Sequence, residues 1–191
     1  MASVFELLGV LVFSFALNLV PFASPSNLLI ASNAALLLDS DPLTLGFLVA
    51  LGSACAKGIH YIITFFVGKH LNEKWRQRLD AEGLKIKRWA FLLLFVAAAT
   101  PIPDEPVVIP LGLMKYNPAK FFVAFFLGKL SITVFGAYIG NWSEGVFSSV
   151  ISQEAFIIIS IILTIIITIL LLKVDLGKVM KKILRRKNDT I

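Results

Sequence analysis

Two lysines and two adjacent carboxylates are the residues of this chain whose types and positions could do chemistry. Lys57 and Lys129 each lie inside a long apolar stretch, and Asp104 and Glu105 follow closely spaced prolines. A charged lysine at the centre of a bilayer costs about 2.5–3.5 kcal/mol on insertion scales, so each lysine should face protein, water or an anion. We predict that both lysines bind an anionic substrate group; the alternative is that they form structural salt bridges with Glu105 and Asp104.

The two carboxylates stand where a helix would begin after the prolines. Asp104 is predicted to cap the half-helix that follows it, because the positive end of a helix favours an anion. A carboxylate in apolar surroundings can also hold a proton near neutral pH. Asp104, Glu105 and His60 are therefore candidates for proton coupling or gating, with packing as the competing role for His60.

Other polar positions extend these sites along two helical faces, because residues three and four apart share a face. The first face holds Ser53, Lys57, His60, Tyr61 and Thr64, and the second holds Lys129, Thr133, Gly136 and Gly140. The glycines of the second face permit close backbone approach. Tyr61, Ser26 and Asn27 join the lysines as candidate substrate-binding residues, with packing as the alternative for Tyr61.

Composition and charge placement indicate a membrane protein. Hydrophobic residues make up 58% of the 191 positions and charged residues only 16%, which argues against a soluble enzyme. The first 56 residues contain no Lys or Arg, whereas seven lie between Lys69 and Arg88 and seven more between Lys173 and Lys187. Basic blocks that flank apolar segments are typical of membrane-protein loops, so the net charge of +6 does not indicate a nucleic-acid-binding protein.

Three apolar segments approach the roughly 20 residues that a membrane-spanning helix needs. They are residues 45–68, 118–140 and 155–172. Two further apolar regions, 4–38 and 89–114, are interrupted by prolines that a regular helix does not accommodate. We predict that both are re-entrant hairpins with tips buried in protein, or that residues 4–20 span by themselves. The hairpin-shaping residues are Pro21, Pro25, Pro101, Pro103, Pro106, Pro110 and Gly112.

The order of these segments predicts an all-α polytopic membrane protein with a single membrane domain over residues 1–173. With the basic loop 69–88 in the cytoplasm, the loop 141–154 lies outside and the basic tail 174–191 is cytoplasmic. Hairpin and span then occur twice in opposite orientations, followed by an additional C-terminal span. Such an inverted repeat is typical of transporters, and the spacing from Lys57 to Gly68 recurs from Lys129 to Gly140.

These residues resemble the DedA family within the VTT (SNARE-associated Golgi protein) superfamily, most closely its short YqaA-like members. The resemblance covers roughly residues 21–140. It is carried by Pro101, Glu105, Gly112, Lys115 and Gly128-Lys129, and by Gly52, Gly58, Tyr61 and Gly68-Lys69. Two departures stand out: Ser26-Asn27 replace the acidic residue usual in the first hairpin, and the arginine common after the second hairpin is absent.

The resemblance implies two facing re-entrant hairpins and movement of lipids between leaflets. The lipids include scrambled phospholipids and recycled polyprenyl-phosphate carriers, and some members are thought to be coupled to protons. We therefore expect a flippase or scramblase that is not an enzyme and uses no cofactor or metal. Its expected partners are membrane lipids with anionic headgroups, with no nucleic acid and with a homo-oligomer left open. The expected location is the plasma or inner membrane, if the source is prokaryotic.

Two other functions remain open at this stage. The first is an ion-coupled transporter of a small solute, which would use the same broken-helix site closed off from lipid. The second is a membrane scaffold without transport, in which the inner charges would be purely structural.

Overall fold

The computed structural model describes residues 2–21, 25–68, 88–101, 104–147 and 162. The chain in these ranges is all-helical. Its helices are α1 (Val4–Asn18), α2 (Asn27–Leu37), α3 (Pro42–Val67), α4 (Arg88–Ala98), α5 (Glu105–Leu113) and α6 (Pro118–Phe147). The predicted span 155–172 and the basic tail 174–191 lie outside the described residues, apart from Ile162, and so does most of the loop 69–88.

Local capping explains where the first and third helices begin. Ser3 and Glu6 form a reciprocal capping box at the start of α1, which satisfies two backbone donors. Asp41 caps α3 by accepting from the Thr44 backbone N–H at 3.0 Å, and Pro42 occupies a first-turn position where its missing N–H is harmless. As a result, α3 begins three residues before the predicted span 45–68.

The predicted span 118–140 continues further than expected. Helix α6 begins at Pro118 as predicted but runs to Phe147, so the first part of the predicted loop 141–154 is helical. Within this extension, the Ser143 hydroxyl donates to the carbonyls of Ile139 at 2.6 Å and Gly140 at 2.9 Å. These two bonds satisfy the buried hydroxyl within its own helix.

Helices α3 and α6 are the two longest elements, and they cross in antiparallel directions. Near the end of α3 and the start of α6, the rings of Tyr61 and Phe121 stack with 4.2 Å between centroids. At the opposite end, the Thr133 hydroxyl donates to the Gly46 carbonyl at 2.8 Å. Each helix contains a 26-residue segment long and apolar enough to cross a membrane. Many large apolar side chains on their outer faces are exposed, as expected for contact with lipid.

Two broken helix pairs, α1–α2 and α4–α5, pack on the crossed helices α3 and α6. The two helices of each pair contact different long helices. The first helix of each pair lies against the long helix that follows it: Gly52 of α3 contacts α1, and Gly128 of α6 contacts α4. The second helix of each pair lies against the other long helix. Gly136 and Gly140 of α6 contact the backbone of α2, and Gly68 contacts the backbone of α5. The prediction that glycines on α6 permit close backbone approach is confirmed.

The apolar core forms two clusters with polar residues between them. One cluster surrounds α2 and includes Leu45 and Val49 of α3. The other surrounds α4 and α5 and includes Phe121 and Phe125 of α6. Along both long helices, buried polar side chains occupy the positions between these clusters: Ser53, Lys57, Lys129 and Thr133. The candidate site therefore lies inside the bundle, away from the ends of the long helices.

Candidate functional site

The structure brings the two predicted lysines and the two predicted carboxylates into one buried ion cluster. The Lys57 ammonium on α3 contacts Glu105 Oε1 and lies 3.4 Å from Asp104 Oδ1. The Lys129 ammonium on α6 lies 2.8 Å from Asp104 Oδ2. Asp104 thus bridges two lysines from different helices, and the four residues are at most 4% exposed. We name this group the ion cluster.

The ion cluster lies well inside both long helices. At 1.5 Å per residue, Lys57 lies about 22 Å along α3 and Lys129 about 16 Å along α6. Both positions fall well inside the two apolar 26-residue segments. In such surroundings an unpaired charge is expensive, so mutual pairing is the condition under which these four residues can stay ionised.

The aromatic side of the ion cluster is provided by Phe125. The Lys129 ammonium lies 5.2 Å from the centroid of the Phe125 ring, one turn earlier on α6. Cation–π attraction strengthens when the cation is desolvated, as it is here. Phe125 also stacks with Phe121, which in turn stacks with Tyr61. Tyr61, Phe121 and Phe125 therefore form a continuous stack of rings that leads from the start of α6 to Lys129.

The structure corrects the predicted role of Asp104 as a capping side chain. Asp104 is the residue before α5, and its backbone carbonyl accepts from the Val107 and Val108 N–H groups. Its side chain makes no capping hydrogen bond. The prediction that the carboxylate caps α5 is wrong, because two buried ammonium groups attract it more strongly than the first turn of the helix does.

A second polar group, which is uncharged, lies where the first helix pair is broken. The amides of Asn18 and Asn27 hydrogen-bond each other reciprocally at 2.8 and 3.0 Å. Ser53 of α3 donates to Asn18 Oδ1 at 3.1 Å, and Asn18 donates to the Ser14 carbonyl at 2.8 Å. We name Ser14, Asn18, Asn27 and Ser53 the amide cluster. Since Ser53 and Lys57 are one turn apart, the amide and ion clusters are adjacent on α3.

Sequence reasoning found Asn27 but missed two members of the amide cluster. Ser14 and Asn18 are fully buried, and Ser14 donates to the Val49 carbonyl at 2.8 Å. The available signal was their spacing: two polar residues four apart on one face of a helix that is apolar between Glu6 and Ser14. Such a pair in apolar surroundings indicates a polar partner elsewhere in the fold.

Tyr61 and His60 lie on α3 near the ion cluster but bond elsewhere. The Tyr61 hydroxyl donates to the Tyr116 carbonyl, which ties α3 to the start of α6. His60 Nε2 lies 2.9 Å from the Leu19 carbonyl at the end of α1, and its Nδ1 has no hydrogen-bond partner among the described residues. Ser26 precedes α2, and its buried hydroxyl likewise has no partner in the described part of the chain.

The predicted hairpin-shaping residues flank or interrupt the shorter helices. Pro21 follows the end of α1, Pro25 precedes α2, and Pro101 follows α4. Pro106 and Pro110 lie within α5, while Pro103 is outside the described residues. Gly112 of α5 lies against Thr64 and the Tyr61 carbonyl, where a side chain would overlap. No group of three His, Cys, Asp or Glu residues suited to a metal occurs in the described ranges.

Comparison with known proteins identifies the family of the chain. A family model described as the VTT domain matches residues 24–142, which is more than half of the chain. The chain belongs to the VTT-domain family. The resemblance drawn from the sequence is thereby confirmed. The VTT domain contains all four residues of the ion cluster, whereas Ser14 and Asn18 of the amide cluster precede it.

One curated relative is similar to part of this VTT-domain chain, and its own function is uncharacterized. It is an uncharacterized protein of Methanocaldococcus jannaschii, 30% identical over 89 residues, which are 44% of this chain. The match spans 56% of the length of that relative. No solved structure matches the chain. The VTT-domain family is membrane-associated, and two helices of this chain are long and apolar enough to cross a bilayer, so the chain is a membrane protein.

Proposed function

We propose that this VTT-domain protein moves phospholipid or polyprenyl-phosphate lipid between the two leaflets of a membrane. The observation that carries the proposal is the ion cluster, which places two ammonium groups and two carboxylates deep between apolar helices. Intramembrane charges are expensive and usually mark a substrate or ion pathway. A phosphate headgroup needs such groups to cross, while its acyl or polyprenyl tails remain in the bilayer.

The proposal includes a topology of two re-entrant hairpins in an inverted repeat. Three observations support it. The Ala2 N–H donates to the Asp39 carbonyl at 2.8 Å, so the α1–α2 pair begins and ends at the same place. Helix α1 has 15 residues, fewer than a full span needs. The two pairs pack on α3 and α6 in equivalent ways through Gly52 and Gly128.

The ion cluster suggests how a headgroup would be handled. Each lysine is held by a carboxylate, and a phosphate oxygen offers the same kind of acceptor. A phosphate that enters between α3 and α6 would replace Asp104 at Lys129 and Glu105 at Lys57. Return of the carboxylates to the lysines would then release the lipid. For a headgroup whose only charge is on its phosphate, protonation of either carboxylate weakens its hold on the lysines and so favours the exchange.

Ion-coupled transport of a small solute is a second candidate function. The observation that favours it is the burial of all four charged side chains, at 1–5% exposure, in the arrangement described. A lipid pathway requires the helices to separate on the side that faces the bilayer, whereas a solute pathway does not. Movement of labelled lipid distinguishes the two functions.

The proposed function is tested by reconstituting the full chain into liposomes with phospholipid labelled by a fluorophore on one acyl chain. Dithionite added outside reduces only the fluorophore in the outer leaflet, so further loss of signal reports lipid movement. We expect the wild type and Lys120→Gln to move lipid and Lys57→Gln/Lys129→Gln to be slow. Lys120 is the matched control because it is an exposed lysine at the start of α6. Equal signals from wild-type and protein-free liposomes would contradict the proposal.

A further inference from the structure

The ion cluster is balanced in charge. Lys57 and Lys129 contribute two positive charges, and Asp104 and Glu105 contribute two negative charges. The nearest titratable side chains on α3, His60 and Tyr61, bond to the carbonyls of Leu19 and Tyr116 instead of joining the cluster. The carboxylate of Asp104 faces Lys57 from α3 and Lys129 from α6, with Glu105 beside it on α5. The sum over these four residues is zero.

Charge balance limits what can enter such a site. A single unbalanced charge in a low-dielectric interior costs several kcal/mol even after the protein relaxes. A headgroup with one phosphate and no cation brings one negative charge and leaves the site with a net charge of −1. A zwitterionic headgroup brings a phosphate and an ammonium together, so the net charge stays at zero.

We infer, on the basis of the proposed lipid transport, that the ion cluster accepts only cargo that leaves its total charge at zero. A zwitterionic phospholipid crosses by itself. A phospholipid with one negative charge crosses with one proton, which Asp104 or Glu105 takes up on the side of entry and releases on the opposite side. Preference among headgroups is therefore set by net charge, and anionic headgroups have no advantage at neutral pH. This changes the expectation from sequence that anionic lipids are the main cargo.

The inference is tested by changing the charge of the cluster one unit at a time. Asp104→Asn and Glu105→Gln each give a cluster of net charge +1, Lys129→Gln gives −1, and the double variant Asp104→Asn/Lys129→Gln returns to zero. The probes are acyl-labelled phosphatidylglycerol, which is anionic, and acyl-labelled phosphatidylcholine, which is zwitterionic. Both are measured in phosphatidylcholine liposomes with equal pH on the two sides, from acidic to alkaline. Asp41→Asn and Lys120→Gln are controls, because Asn still caps α3 and Lys120 is exposed.

The expected result is a ratio of rates that follows net charge. In the wild type, phosphatidylglycerol movement should rise as pH falls while phosphatidylcholine movement stays level. Asp104→Asn should raise the ratio of phosphatidylglycerol to phosphatidylcholine at neutral pH by at least about tenfold, since the added positive charge replaces the proton. Lys129→Gln should lower the ratio, and the double variant should restore it. Glu105→Gln provides the same +1 charge if Asp104→Asn does not fold.

Three results would overturn the inference. The first is a ratio that stays constant in all single variants although lipid moves. The second is a double variant that keeps the altered ratio of either single variant. Both of these leave the proposed function intact. The third is a wild type that moves neither lipid, which removes the proposed function and this inference with it.

Discussion

Lys129 on α6 and Asp104 at the start of α5 form a buried ion pair, with 2.8 Å between Nζ and Oδ2. The same carboxylate lies 3.4 Å from Lys57 on α3, so Asp104 links the two long helices through one side chain. The second helix pair, α4–α5, is therefore tied to both α3 and α6 by ion pairs. Asp104 is therefore the carboxylate that pairs with both lysines, whereas Lys129 pairs with Asp104 alone among the described residues.

We expect Asp104→Asn to lower stability more than Lys129→Gln does. Loss of the Asp104 charge leaves Lys129 buried and without its described ionic partner, whereas loss of the Lys129 charge leaves Asp104 beside Lys57. Breaking a buried pair in this way costs about 3–5 kcal/mol. Thermal unfolding in detergent should show the larger decrease in Tm for Asp104→Asn, with Tm partly recovered in the double variant. Equal decreases for both single variants would show that Asp104 does not bridge the lysines.

Glu105→Gln is expected to reduce the pH dependence of phosphatidylglycerol transport. The substitution keeps the size of the side chain and a hydrogen bond to Lys57 but removes a group that can carry a proton. Transport assays from acidic to alkaline pH should give a flatter profile than the wild type, with folded protein still present in the membrane. A profile that matches the wild type would limit Glu105 to holding α5 against α3.

Substitution by alanine should affect stability differently at a glycine in a helix contact and at a glycine that faces open space. A Cβ at Gly128 would lie 2.5 Å from the Phe95 carbonyl of α4, whereas a Cβ at Gly58 meets nothing within 4 Å. We expect Gly128→Ala to lower Tm, because a backbone atom must shift. Gly58→Ala should leave Tm unchanged or raise it, since alanine is more favourable than glycine inside a helix by about 1 kcal/mol. Changes of the same sign in both variants would contradict the helix contact between α4 and α6.

The amide cluster should contribute to stability through its reciprocal pair. Asn27→Ala removes both hydrogen bonds to Asn18, which is buried. Ser14 and Ser53 still bond Asn18, but one of its two Nδ2 hydrogens loses its acceptor. An unsatisfied buried polar group costs about 1–3 kcal/mol, so a clear decrease in Tm is expected. Asn141→Ala is the matched control, because Asn141 is exposed on α6. Little or no decrease for Asn27→Ala relative to this control would mean that water reaches the break between α1 and α2.

Cysteine labelling tests the proposed topology. In a Cys55→Ser background, Ser40→Cys and Ser148→Cys should react with an impermeant maleimide added outside, and Asn72→Cys only when the reagent reaches the cytoplasm. Removal of Cys55 is needed because its side chain is exposed. Ser148 and Asn72 lie outside the described residues. The sides of all three residues are predictions from charge placement. Labelling of Ser148→Cys from the cytoplasmic side alone would overturn the topology.

The sequence determined the class of the protein and the places where its two helix pairs are broken. Apolar composition and blocks of basic residues indicate a membrane protein, because transfer into a bilayer depends on the residues of each segment by themselves. The break before Asn27 and the break before Glu105 follow from nearby prolines, whose effect on the backbone is local. The burial of Lys57 and Lys129 was also predictable, because their neighbours along the chain are apolar.

The tertiary structure decided how these residues pair. By sequence alone, the Asp104 carboxylate could cap α5 or pair with a lysine. In the folded chain it pairs with Lys129 on α6 and does not cap α5. The partner of Asn27 is Asn18, which lies across a break whose geometry the sequence does not specify. Ion pairs and hydrogen bonds need their polar atoms within about 3–4 Å of each other. These contacts therefore depend on which helices meet, and they form only once α3 and α6 have crossed.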